Sequence, residues 1–495
     1  MKNVNLKSEL DKKLNEPGVF YFKFTEEGES KVNQKLNITK PTITKIKNNI
    51  QNVFKVIKDK YYLDEAVVIN SLSRICGELR LVFPGNQVVS ITNNDLIKIN
   101  HEPSKYLICE KSDGIRYLLL HFYNNKILLL NRKLEFFQIE TKNPFADAHF
   151  KHEDWEINNF IDGELVLDKV TSVEKINNSK NSLVQINGEY YEYRFIVFDA
   201  IVLNGENIGH LPFKSRISSL NDFMKYINFS RVIKDKRDNI LNKYGDMVRF
   251  INRPNECYNR FQMKTIPIEI FMKDYFMIEH INLLNEKICN NIFPHDNDGI
   301  IINRDDFIYY PAACKDILKW KPAELNTVDF ELAEVEIKHQ NNRKLYVLQV
   351  NKTFNDLIAI SCLFFKDTED ENIFLVELQK VKLRPTRIIV ECYYEKQFNP
   401  YDVVNFHLLE KNKIIRKSDD EYTFNFINYN FDYLRNELKR YSNFDESPFK
   451  KGGWKFLRFR NDKETSNSFH TFKNVMTSID ENITLSDLKD AVLNR

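Results

Sequence analysis

Tyr106-Leu-Ile-Cys-Glu-Lys111-Ser-Asp113-Gly114-Ile-Arg116-Tyr-Leu-Leu-Leu120 is the stretch on which the reading of this chain turns. A β-rich run meets an Asp-Gly pair and a second β-rich run leaves it, which predicts two strands joined by a tight turn. Lys111 stands at the mouth of the first strand. On an exposed hairpin such charges are usually solvated decoration, but the pattern recurs downstream. Phe160-Ile-Asp162-Gly163-Glu164-Leu-Val-Leu167 is a second β-run opened by carboxylates. Phe195-Ile-Val-Phe198-Asp199-Ala200 sets an aromatic beside a carboxylate, and Asp298-Gly299-Ile-Ile-Ile302 begins a fourth run. Leu318-Lys319-Trp320-Lys321-Pro322 places two lysines on one side of a strand. Trp454-Lys-Phe-Leu-Arg458-Phe-Arg460-Asn-Asp462-Lys463-Glu-Thr-Ser-Asn467 is a last cationic cluster.

Around these strings the composition is that of an ordinary globular protein. The 495 residues carry 72 Lys+Arg against 70 Asp+Glu, a formal charge of +2, which excludes a polybasic protein that binds mainly by neutralising phosphates. The length suggests about two to four domains. Only 13 Gly and 14 Pro exclude a collagen-like or linker-dominated chain. Seven cysteines form no CxxC pair, which fits a reducing compartment better than a disulfide framework. The opening MKNVNLKSELDKK lacks the apolar core of a secretory signal, and no apolar stretch approaches the roughly 18 residues that span a bilayer. A soluble intracellular protein with no membrane partner is expected.

Residues 1–60 are polar and rich in Lys and Asn, and read as a mobile or surface-docked extension with a helical pattern possible around 45–57. Residues 61–330 read as an α+β domain with antiparallel sheet, its turns at Pro84-Gly85, Asp113-Gly114, Asp162-Gly163, Asn204-Gly205 and Asp298-Gly299. Helical segments fall at 215–228 and 275–290. After Leu325-Asn326-Thr327 the texture becomes strand-like without strong helices, at 328–337, 344–350, 357–365 and 387–394. That predicts a small β-barrel or sandwich over 331–470. The tail, 471–495, holds a capped helix at 484–492 and is expected to pack back on the larger domain.

The ordered set of strings resembles the covalent nucleotidyltransferase superfamily of mRNA capping enzymes and ATP-dependent ligases. Its KxDGxR element corresponds to Lys111, Asp113, Gly114 and Arg116. Two further stretches point to GTP:RNA guanylyltransferases of the fungal type: Phe83-Pro-Gly-Asn-Gln-Val-Val-Ser90, and the RxDKxxxN pattern met by Arg460, Asp462, Lys463 and Asn467. The resemblance implies an ATP-grasp-like, ligase-type nucleotidyltransferase domain followed by an OB-fold barrel. It also implies that Lys111 attacks GTP to give a covalent enzyme–GMP and pyrophosphate, after which GMP passes to the 5′-diphosphate end of an RNA. Glu164 and Asp298 are then ligands of Mg²⁺ or Mn²⁺, an oxygen-rich setting those ions prefer, or contacts on the ribose side of the nucleotide, Glu164 counting as a nucleotide contact as well. For Asp298, as for Asp162, turn formation before Gly is an equal reading. Arg116 and Arg132 become nucleotide contacts, Arg132 beside an Asn131 where many relatives have Asp. Phe198 becomes the purine stack, although a core Phe would look the same. Lys319 and Lys321 become α-phosphate contacts. Arg460 and Lys463 become β,γ-phosphate contacts made on domain closure, although Arg and Lys also serve simply to guard a barrel edge.

The chemistry sets its own demand. At an ordinary pKa of ≈10.4 only roughly one lysine in 2,500 is neutral at pH 7, and lowering that by about three units takes on the order of 4 kcal/mol. Crowding by Arg116, Lys319 and Lys321 would supply it. The rival readings are an ATP-using RNA or DNA ligase, and a non-catalytic module docking on the phosphorylated tail of RNA polymerase II. No HCxxxxxR phosphatase string occurs, so a separate RNA 5′-triphosphatase subunit is expected, along with the polymerase tail as partner and the nucleus as location.

Overall fold

The computed structural model describes residues 6–7, 9–10, 22–24, 40–60, 66–77, 83–123, 126–139, 155–179, 183–227, 269–322, 325–337, 343–353, 356–365, 368–382, 387–395, 415–418, 421–424, 453–460, 463 and 465–493. The chain divides into two units, Met1–Trp320 with Leu485–Arg495, and Lys321–Thr484.

In the first unit Ile43, Ile46, Ile50, Phe54 and Ile57 recur every three or four residues along a helix over Lys40–Lys60 (α1), and all five are buried. They pack with Val68, Leu72 and Ile75 of the helix Ala66–Gly77 (α2). Phe54 meets Phe160 edge-on at 6.2 Å between ring centroids. For residues 40–60 the reading as part of a polar extension is therefore corrected. Average composition hid a helical period whose exposed face carries Lys45, Asn48, Asn52 and Lys55. Even nearer the start, Leu10 is buried in the same cluster and Lys7 Nζ donates to Asp113 at 3.0 Å.

Two sheets form the body of this unit. The smaller runs Tyr106–Ser112 (β2), Asn297–Arg304 (β9), Ala313–Trp320 (β10) and Gln87–Ser90 (β1), the last pair parallel. The larger centres on Ile115–Phe122 (β3), Ile157–Lys169 (β6) and Glu189–Leu203 (β7), with Ile127–Leu130 (β4) and Phe136–Ile139 (β5) beyond β3. Glu269–Met272 (β8) pairs parallel to β7. One apolar cluster takes in both sheets, α1 and the helix Phe213–Ile227 (α4). The helix Asn93–His101 (α3) receives the last helix of the chain, Leu485–Leu493 (α7), where Asn100 Nδ2 donates to the Ala491 carbonyl at 2.9 Å.

The Asp-Gly pairs behave differently from one another. Of the pairs singled out above, Asn204-Gly205 makes the tight turn, with φ of 50° and 80°. Asp113-Gly114 is no hairpin tip: β2 belongs to the small sheet and β3 to the large one, so this pair carries the chain between sheets. A Cβ on Gly114 would lie 2.3 Å from the Leu165 carbonyl, so the crossing runs directly over β6. Asp162-Gly163 lies inside β6 at a register shift, and Asp298-Gly299 inside β9 at another, with Gly299 at φ 150°. Both are bulges, which re-aim side chains where a turn would have ended the strand.

The second unit is a closed barrel of Thr327–Ile337 (β11), Arg343–Thr353 (β12), Asp356–Phe364 (β13), Gly453–Phe459 (β15) and Ile389–Glu395 (β14), which pairs back to β11. Only β13 and β15 run parallel. The expectation of no strong helix here is corrected by Thr368–Lys382 (α5), whose Phe374 and Leu378 reach the barrel core while Ile373 and Val376 stay exposed. Those exposed apolar residues blurred the helical period. Phe469–Glu481 (α6) also belongs to this core, through Val475 and Ile479, so the tail beginning at 471 is shared between the units.

Truncating Phe54 to Ala removes a fully buried ring from the α1 face. An equilibrium denaturant titration of Phe54→Ala is expected to show about 3–5 kcal/mol of lost stability; a surface-docked extension would show almost none.

Candidate active site

Cys109, Ile301 and Lys319 lie in register across β2, β9 and β10 and so share one face of the small sheet. Lys111, two residues beyond Cys109, shares that face. Its Nζ is 2.6 Å from Asp298 Oδ1, and each side chain is about one-fifth exposed. The bulge in β9 is what turns Asp298 toward it. Where crowding by cations was expected, the nearest partner of the lysine is therefore a carboxylate. Arg116 is turned elsewhere, and Lys321 belongs to the second unit.

Arg116 is gripped on all sides. Its Nε donates to Asp162 Oδ1 at 2.9 Å and Nη2 to Oδ2 at 2.5 Å, while Nη2 also donates to Asn86 Oδ1 at 2.9 Å and Nη1 to the Asn86 carbonyl. Tyr309 Oη donates to the same Asp162. Burial works against the charge on Arg116, but Asp162 outweighs it and holds the guanidinium above its ordinary pKa. The guanidinium carbon lies 5.6 Å from the ring centre of Phe83 and 5.4 Å from that of Phe198. The Phe83-Pro-Gly-Asn string thus earns its place: a Cβ on Gly85 would fall 2.9 Å from Arg116 Nη2. Phe198 is half-buried and packs on the core cluster.

Glu164 Oε1 accepts from the Gly114 amide at 3.1 Å, which ties the second string to the first. Arg132 reaches the surface, yet desolvation, and after it the nearby Arg116, lower its pKa. Asn131 serves where Asp was expected. Its Oδ1 accepts from the Lys133 and Glu135 amides at 2.9 and 3.0 Å, and so shapes the turn bearing Arg132. Asp199, beside Phe198, has a structural task. It holds the fully buried Arg216 of α4 through two bonds of 2.8 Å.

In the second unit the terminal string gathers round one residue, Asp329. Arg460 Nη1 is 3.0 Å from its Oδ1, Lys463 Nζ bonds Oδ2, and Asn467 Oδ1 accepts from its amide at 2.9 Å. Glu391 adds a second carboxylate 3.5 Å from Arg460. Asp462 lies outside the described residues. Next to the Lys111 strand the structure adds Lys273, to which none of the strings points. It is buried, and its Nζ donates to the Glu110 carbonyl at 2.9 Å and Ser112 Oγ at 2.8 Å, on either side of Lys111. A lone lysine in the apolar run Ile270-Phe-Met-Lys273 was the available signal.

For a divalent cation, Glu164 and Asp298 are oxygen donors beside Lys111, and no group of three or more metal-ligating side chains exists among the described residues. That donor set fits an ion held jointly by one or two carboxylates and a triphosphate, as Mg²⁺ is commonly held.

Residues 49–323 match the family described as mRNA capping enzyme, catalytic domain, and residues 325–489 match mRNA capping enzyme, C-terminal domain. The chain is 24% identical over 445 residues to an mRNA-capping enzyme subunit alpha of Schizosaccharomyces pombe, covering 86% of this chain and 83% of that one. To the Saccharomyces cerevisiae protein of the same name it is 24% identical over 440 residues, covering 83% and 78%. Among solved structures, a Chlorella virus DNA ligase-adenylate overlaps 63% of this chain and 92% of that one at 12% identity and a TM-score of 0.24.

Asp162 is fully buried and Arg116 nearly so, so removing the carboxylate strands a guanidinium. Asp162→Ala is expected to lose about 3–5 kcal/mol in denaturant unfolding, whereas Asp113→Ala, on a part-exposed residue, loses about 1 kcal/mol or less.

Proposed function

The chain belongs to the mRNA capping enzyme family, and from that membership we propose Lys111 as the nucleophile of its guanylyltransferase reaction. The observation that carries this is the ion pair of Lys111 and Asp298 on the inner face of the small sheet, beside Gly114, Glu164 and Arg116. In the first step Nζ forms a bond to the α-phosphorus of GTP as the bond to the bridging oxygen breaks, and pyrophosphate leaves. The amine must shed a proton to solvent before it attacks, and Asp298 at 2.6 Å holds it in place. In the second step an oxygen of the RNA 5′-diphosphate attacks the same phosphorus, the P–N bond breaks, and the lysine regains its proton. Lysine suits this role because it can be neutral; arginine cannot.

The remaining site residues divide the work by charge and shape. Arg116, Arg132 and Lys319 would face the α-phosphate and ribose. Phe198 would stack on the purine, a contact any base satisfies, so it cannot choose guanine. Lys321, like Lys319, would contact the α-phosphate; we read the barrel as an OB-fold whose Arg460 and Lys463 engage the β- and γ-phosphates, exchanging Asp329 for phosphate oxygens to do so. Glu164 and Asp298 would hold Mg²⁺ or Mn²⁺ together with the triphosphate; such an ion neutralises charge that builds up as pyrophosphate departs.

The relatives' name, subunit alpha, supports a second subunit, which we read as the RNA 5′-triphosphatase that makes the diphosphate end. The phosphorylated tail of RNA polymerase II as a docking partner, and the nucleus as location, follow from the same reading.

Incubation with α-³²P-labelled GTP is expected to leave an acid-labile label on the denatured protein, with Lys111→Ala unlabelled and ATP giving none. Label retained by Lys111→Ala would remove the lysine from its role, and label from ATP would point to a ligase.

A further inference from the structure

Behind the nucleophile strand, on the face opposite Lys111, lies a buried chain of charges that the reaction as described does not use. Glu110 precedes Lys111 and is buried with Lys273 Nζ at 3.3 Å and His295 Nε2 at 3.5 Å from its Oε1. The other ring nitrogen, Nδ1, is 3.0 Å from Asp168 Oδ1 on β6, and Asp168 Oδ2 is 2.8 Å from Arg194 Nε on β7. A small cavity opens among Glu110, Asp168, Arg194, Lys273, Asp274 and His295.

The backbone around His295 makes the same crossing. The Pro294 carbonyl accepts from the Lys169 amide, at the end of β6, and the Asp296 carbonyl accepts from the Asp113 amide, both at 2.8 Å. Three consecutive residues therefore strap the large sheet to the turn just past Lys111. Two residues after the strap comes Asp298, the partner of Lys111. Nδ1 is hydrogen-bonded to Asp168, whereas Nε2 faces Glu110 Oε1 at 3.5 Å without a hydrogen bond, so the ring stands between two carboxylates.

We propose that His295, buried between Asp168 and Glu110 on this strap, is a positioning residue that fixes the Lys111 strand and the Asp298 bulge against the large sheet for enzyme–GMP formation. This rests on Lys111 being the nucleophile. Burial pulls the pKa of His295 down, but the bonds to Asp168 and Glu110 and their charges outweigh it and raise it to about 9. Asp296, on the same strap, and Lys273, Asp274 and Arg194 complete the charges facing it. A pKa raised on folding means that the stabilisation is fully present below the ordinary value of about 6.5 and is lost as pH rises through about 9.

The test uses the full chain, with rates of label transfer from α-³²P-GTP measured between pH 6 and 9.5 (roughly spanning both values) for wild type and His295→Gln. The expected result is a rate constant for enzyme–GMP formation lower by about tenfold or more in the variant, with KM for GTP within about twofold. The fall of the wild-type rate above about pH 9 should be missing from the variant. Unchanged rates, a KM that rises as far as the rate falls, or an alkaline fall that persists in His295→Gln would each overturn the proposal. If the variant does not fold, the wild-type ring decides: its carbon-bound proton signals should titrate near pH 9, and a ring already neutral at pH 7.5 overturns the assignment. Label on Lys111→Ala would defeat the nucleophile assignment separately, without touching the ring's titration.

Discussion

Charges buried between two β-sheets must be matched where they stand, and in the first unit Asp162 and Arg116 meet that demand most tightly. Asp162 accepts both arms of the guanidinium and a tyrosine hydroxyl. Arg116 in turn binds Asn86 and lies against two aromatic rings. Strings separated by up to some 80 residues of sequence are drawn together by this one pair, from Phe83 to Glu164. Breaking it would leave a desolvated charge with no water to replace its partner. The Lys111–Asp298 pair is laid out in the same neighbourhood but is part-exposed, so its members can separate when a substrate arrives.

Much of this was legible in the sequence, though unevenly. The alternating apolar runs of the barrel gave strands that begin and end within a few residues of those observed, because alternation is what a half-buried strand requires. Of the residues in the strings, Lys111 meets Asp298, the Gly114 amide meets Glu164, and Arg116 meets Asp162. Local rules failed wherever a glycine answered to another strand. Gly114, Gly163 and Gly299 look like turn formers, but Gly114 and Gly163 are small because neighbouring backbone or rings press on them, and Gly299 sits at a bulge. A Cβ on Gly163 would stand 2.6 Å from the Phe195 ring. Nothing within a few residues of Gly163 announces Phe195. His295 left no local signal for the same reason, and Lys273 left only that of a lone lysine in an apolar run. Each is one charged residue whose partners lie more than a hundred residues away.

The second unit treats its cations differently. Arg460 and Lys463 are already satisfied by Asp329, and Arg458 by Glu391 at 2.6 Å. Burial raises the cost of charging Glu391, yet Arg458 and Arg460 hold its carboxyl below the usual range, so it remains an anion at neutral pH. A phosphate entering here would compete with carboxylates that are already hydrogen-bonded. What the exchange yields is the difference between two ion pairs, which is smaller than either alone.

The chain leaves the first unit after Trp320 and returns to it at Leu485, where α7 docks on α3. The barrel is thus an insertion, and this has a bearing on birth rather than catalysis. During translation, at about 5–20 residues per second, the first unit waits roughly ten to thirty seconds for its last helix while the barrel is being made. For that interval the α3 surface lacks its natural cover, and a nascent chain stalled inside the barrel would present it to chaperones.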